Sequence, residues 1–145
     1  MARRVVSVLT LVTIASVGAG CGTSKAPNAA TAQQLATQIT ASGAGCRDFA
    51  LTDTATAAGA TNASSGACTV SGQHLALAVY QSADERNKGQ VELLKGCIGR
   101  RSLNSGSTST WAFTKGPTWI VLGTDHKAVA TVGRALHTSV QTAPC

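Results

Sequence analysis

The chain opens on an apolar run, Val5–Val17, in which thirteen residues pass without a charge. Beyond it the pattern changes to short periodic segments. Ala32–Ala41 has helical composition, with Leu35 and Ile39 four apart and Gly43 as a stop. Thr52–Ser65 is an Ala/Thr/Gly/Ser stretch without apolar periodicity and reads as a loop. Ala67–Val70 and Gln73–Tyr80 alternate around Ser71-Gly72, the pattern of a two-residue β-hairpin. Ser82 then opens a helix, with Glu85 at capping-box spacing. Its apolar stripe is Val91, Leu94 and Ile98, and it ends near Gly96-Cys97. Gly89 weakens that helix by about 1 kcal/mol relative to Ala.

The second half repeats the plan. Arg100–Thr110 is a polar loop, and Trp111–Lys115, Gly116-Pro117 and Thr118–Leu122 form a second hairpin. Thr124 or Asp125 caps a last helix, with Val129, Val132, Leu136 and Val140 on one stripe. The predicted fold is α+β. Two strand–strand–helix units make a four-stranded antiparallel sheet with both helices on one face, and an N-terminal helix is added.

Composition narrows the class. At 145 residues the chain is short enough for one domain. It is 43% hydrophobic and 12% charged, which excludes disorder of the charged kind. The formal charge of +6 falls to +4 if Arg3 and Arg4 leave with a cleaved leader. The remaining cations are spread along the chain, and the aromatics are one Tyr, two Trp and two Phe. Nucleic-acid binding needs a basic stripe with aromatic platforms, so no nucleic-acid partner is expected.

The leader has the three parts of a secretory signal: Arg3-Arg4, the apolar run, and the small residues Gly18, Ala19 and Gly20. The run is too short for a spanning helix, which needs about 20 residues. Gly18-Ala19-Gly20-Cys21 resembles the lipobox of bacterial lipoproteins, although Gly18 stands where that class usually has an aliphatic residue. The resemblance implies a diacylglyceryl thioether on Cys21 and cleavage just before it. The expected organisation is a signal peptide over 1–20, a flexible tether over 21–31 and one globular domain over 32–145. The expected location is the extracytoplasmic side of the cell membrane, held by the lipid.

Five cysteines then divide unequally. With Cys21 assigned to lipid, Cys46, Cys68, Cys97 and Cys145 are an even set in an exported domain, which implies two disulfides. Four cysteines allow three connectivities. Each predicted half ends in a cysteine at or beyond its helix, and with both helices on one face those ends share an edge. This layout favours Cys97–Cys145 and leaves Cys46–Cys68. No CxxC spacing occurs, so no metal and no cofactor are expected.

The stretch from Cys68 through Asp84, Cys-Thr-Val-Ser-Gly-Gln-His-Leu-Ala-Leu-Ala-Val-Tyr-Gln-Ser-Ala-Asp, resembles small actinobacterial lipoproteins, a group without a settled activity. No catalytic residue is implied by that likeness. Nor is there a GxSxG elbow, a phosphate loop or an HExxH helix. Asp84, Glu85 and Glu92 sit on one predicted helix, and Asp84–Lys88 at i,i+4 and Glu92–Lys95 at i,i+3 read as surface pairs. His126 and His137, eleven residues apart, stand about 16 Å apart along a helix and cannot share an ion.

The hairpins suggest a binding face instead. Cys68, Val70, Leu75, Leu77 and Val79 share the core side with Trp111, Phe113, Ile120 and Leu122. The other side would then carry small residues punctuated by His74, Tyr80 and Trp119, a face suited to an envelope protein or a small ligand. The expectation is therefore a non-enzymatic binding protein. A small envelope hydrolase and a structural or immunity-type surface protein are the alternatives.

Overall fold

The computed structural model describes residues 25–52, 62–103 and 110–145, without the side chains of 62–63 and 96–103. The leader and Cys21 lie outside the described residues. Helix α1 (Ala32–Ala41) starts where the Thr31 hydroxyl accepts from the Gln34 N–H and buries Leu35 and Ile39. Strand β1 (Arg47–Leu51) follows, then β2 (Asn62–Val70) and β3 (Gln73–Tyr80). Ser71 and Gly72 both take positive φ, 51° and 78°, as a type I′ turn requires. The Ser82 hydroxyl accepts from the Glu85 N–H at the start of α2 (Ala83–Leu103). Strands β4 (Thr110–Lys115) and β5 (Trp119–Gly123) form the second hairpin. The Asp125 carboxylate accepts from the Ala128 N–H, 2.7 Å away, and caps α3 (His126–Ala135). Strand β6 (Val140–Pro144) ends the sheet.

The sheet has six strands, not the expected four, in the order β1-β2-β3-β5-β4-β6, with every pair antiparallel. The additions are the two edges. β1 is exposed along most of its length, so burial left no alternation to read. β2 reaches back to Asn62, through residues whose composition suggested a loop. Helix α2 runs on to Leu103, past the expected stop near Gly96.

Helix α3 stops at Ala135, and Val140 belongs to β6 instead of the helical stripe. The Thr138 N–H bonds the Gly133 carbonyl and the His137 N–H bonds that of Arg134. This is a Schellman motif with His137 in the left-handed region at φ 55°. Just beyond it, the buried Thr114 hydroxyl is 2.6 Å from that of Thr138 and donates to the Ser139 carbonyl. These contacts turn the chain back along β4.

The helices lie on both faces of the sheet, which corrects the expectation of one. α2 joins β3 to β4 across β5, and α3 joins β5 to β6 across β4. Each connection links parallel strands, and such crossovers are almost always right-handed. The two start from antiparallel strands and step toward the same edge, so one hand puts them on opposite faces. The cores agree. Leu35 and Ile39 of α1 and Val129, Val132 and Leu136 of α3 pack with Leu75, Leu77, Val79, Trp119 and Val121. Across the sheet, Leu93 and Leu94 of α2 pack with Ala78, Tyr80, Phe113 and Ile120. Val91, expected on the inner stripe of that helix, is 50% exposed.

Three of the five aromatics lie over glycine. A Cβ on Gly66 would stand 2.6 Å from the Phe49 ring, and one on Gly89 or Gly116 would strike Tyr80 or Trp119. Glycine thus admits close packing in a core with few large side chains.

Candidate functional site

His74, Tyr80 and Trp119 do not share a face, and this corrects the expected binding surface. Val79 pairs with Trp119 and Ala78 with Ile120. This register sets Trp119 beside Val79, on the side of α1 and α3, where it is fully buried. Tyr80 points the other way and is buried beneath α2, its ring against Gly89. Each hairpin divides into two faces as expected, but their relative phase is reversed. The reason lies in β3 and β5, which are central strands buried on both sides. Only the β3–β5 pairing sets which sides coincide.

His74 alone of the three is exposed, with its Nδ1 3.5 Å from the Thr69 hydroxyl. Beside it Ala67, Ala76, Trp111, Leu122 and Thr124 line a hollow of about 250 Å³. Its walls are small or apolar and His74 is the ionisable group at its rim. That chemistry suits an apolar group with one polar contact. A neighbouring void between α2 and the sheet, lined by Leu93, Leu94, Phe113 and Ile120, holds only about 20 Å³, room for at most one water. Alternation alone places Trp111 and Leu122 on the core side. Their membership of the hollow depends on the same phase between hairpins.

The tether expected over 21–31 is tied down from Ala26. Trp119 Nε1 donates to the Pro27 carbonyl at 2.7 Å, and the Thr118 hydroxyl donates to that of Ala29 at 3.0 Å. Gln38 Nε2 donates to the Asn28 carbonyl, and Ala29 is itself buried. A strap of backbone carbonyls therefore satisfies the indole N–H and the threonine hydroxyl beside it. The strap crosses the end of the β4–β5 hairpin.

Cys46 and Cys68 are joined by a disulfide, with their Cα atoms 5.5 Å apart. It ties the start of β1 to β2, as the sequence layout favoured. Cys145 is 7% exposed and is also disulfide-bonded. Cys97 lies in α2 and its side chain is outside those described.

The cations are less dispersed in space than in sequence. The Arg86 guanidinium donates to the Gly116 carbonyl, and the Lys115 ammonium donates to Gln90. Burial, and then the nearby Arg86 charge, hold the Lys115 ammonium below its usual pKa. Glu92–Lys95 forms the expected surface pair, whereas Lys88 pairs at i,i+3 with Glu85, not at i,i+4 with Asp84. Among the described residues no three His, Cys, Asp or Glu side chains gather as metal ligands. No described helix is long and apolar enough to cross a membrane. No protein-family model, curated protein or solved structure matches the chain.

Proposed function

We propose that this protein is a bacterial lipoprotein of the cell envelope, anchored through a diacylglyceryl group on Cys21, that binds a partner without transforming it. The observation that carries the anchoring is a junction. The lipobox-like Gly18-Ala19-Gly20-Cys21 ends five residues before Ala26, where the chain begins to pack on the domain. Cleavage just before that cysteine would leave the whole domain intact behind a lipid-bearing first residue. The binding half of the reading rests on the hollow beside His74, whose lining is mostly small or apolar with His74 at its rim.

The cysteine economy fits the same reading. Cys46 and Cys68 are joined and Cys145 is bonded, so lipid on Cys21 leaves Cys97 as its partner. Ala143, two residues earlier, faces α2, the helix that carries Cys97. A Cys97–Cys145 bridge would staple that helix to the edge strand β6.

Feeding cells an alkyne analogue of palmitate tests the anchor. The wild-type chain should be labelled and partition with detergent, and Cys21→Ser should do neither. A labelled Cys21→Ser variant, or an unlabelled wild type, contradicts the assignment. Ala76→Arg fills the hollow from an exposed strand position and tests the binding half. Envelope crosslinks should weaken while the melting temperature stays unchanged.

A further inference from the structure

We infer that the domain stands upright on an anionic bilayer, with the pole carrying Pro27 and Trp119 against the headgroups and the hollow beside His74 turned away. The inference rests on lipid at Cys21, as proposed above. Its warrant is the length of chain between lipid and domain. Residues 22–25 separate Cys21 from Ala26, and at full extension this leash reaches no more than about 18 Å. A domain of this size is about 35 Å across. Resting on its opposite pole, it would hold Ala26 about twice as far from the membrane as the leash allows.

The fold defines the two poles. Strand β3 runs from Gln73 to Tyr80, and the Tyr80 N–H donates to the Thr118 carbonyl. Trp119 and Thr118 hold the strap, so the C-terminal end of β3 lies where the leash begins. The 21 residues of α2 start at this end and rise about 31 Å toward the other. His74, Thr124 and the Ser71-Gly72 turn lie at the opposite end.

The near pole has the charge for the position. Lys25 precedes the strap, Arg86 meets Lys115 beside Gly116, and Arg134 closes α3 next to the start of β6. Asp84 and Glu85 stand at the same end, but Glu85 is already paired with Lys88. The surplus is cationic, and cations near a bilayer are attracted to phosphatidylglycerol and similar lipids.

Photocrosslinking of the lipidated chain in phosphatidylcholine–phosphatidylglycerol vesicles tests this orientation. A photoreactive residue replaces, in turn, exposed Gln81 or Arg134 at the near pole and exposed Gln73 or Thr124 at the far pole. Lipid adducts should form several-fold more at the first pair. Equal or reversed labelling on a chain whose mass carries the diacylglycerol overturns the orientation and leaves the anchor standing. A mass without it overturns both. A long Gly/Ser insert after Gly22 should lower labelling at Gln81. Unchanged labelling would show that the leash does not set the orientation.

Discussion

The Tyr80 ring lies across Gly89, so close that a β-carbon on the glycine would overlap it. The contact joins the last residue of β3 to the second turn of α2 and seats the helix on its face of the sheet. In an isolated helix Gly89→Ala would gain about 1 kcal/mol. Here the methyl must displace a buried ring, and overpacking of this kind costs about 1–3 kcal/mol. Gly89→Ala should therefore lower the urea midpoint. A raised midpoint would show that the ring moves aside freely.

The same burial leaves a pH signature. Desolvation raises the Tyr80 phenol above its ordinary pKa, near 10. The folded state then holds this proton more tightly than the unfolded chain does. The stability it supports is complete below about pH 10 and declines as the pH climbs toward the raised value. Lys115 works in the opposite sense, since its lowered pKa lets the folded state shed a proton earlier. Melting curves between pH 8 and pH 11 should show an alkaline decline that Tyr80→Phe reduces. An identical decline in Tyr80→Phe would contradict this origin.

Gly43 and His137 occupy equivalent positions, one after each short helix. The Ala44 N–H bonds the Ile39 carbonyl as that of Thr138 bonds Gly133. Gly43 has φ 87° and His137 has φ 55°. Only the first is a residue suited to the left-handed region. His137→Gly should stabilise the fold, and Gly43→Ala should destabilise it by about 1–2 kcal/mol. Thermal melts of the two variants check both signs.

The Cys46–Cys68 bridge closes a separation of 22 residues. Chain-entropy reasoning assigns such a loop about 3 kcal/mol. Cys46→Ser/Cys68→Ala should lose roughly that much in denaturant titration. Non-reducing peptide mapping of the wild type should recover Cys46 with Cys68, and Cys97 with Cys145. A Cys21–Cys145 peptide would contradict both the second bridge and the lipid assignment.

Local signals carried much of the fold. Ser71-Gly72 needs positive φ at two successive residues. Ser82 and Asp125 each place an oxygen three residues before a free N–H. Leu35 and Ile39 needed only helical periodicity. All four readings depend on a few neighbouring residues. The edge strands did not announce themselves, because β1 buries little and β6 is short and ends at Pro144. Val140 continued the α3 period by coincidence, and the left-handed His137 that breaks it carries no strong signature.

The candidate site was less legible for a related reason. Alternation assigns residues to two faces of a hairpin but does not say which face of one continues which face of another. Trp119 therefore fell on the wrong side of Tyr80. The small residues Ala76 and Ala78 suggested an open surface, although α2 covers part of it. The strap at Pro27 was also invisible, because a hydrogen bond to a backbone carbonyl leaves no trace in residue type.

The intact mass of the protein extracted from cell envelopes bears most directly on the anchored reading. A chain beginning at Cys21 with a diacylglyceryl adduct is the expected result. An unmodified chain, or one cleaved at another position with Cys21 carrying a free thiol, would contradict it.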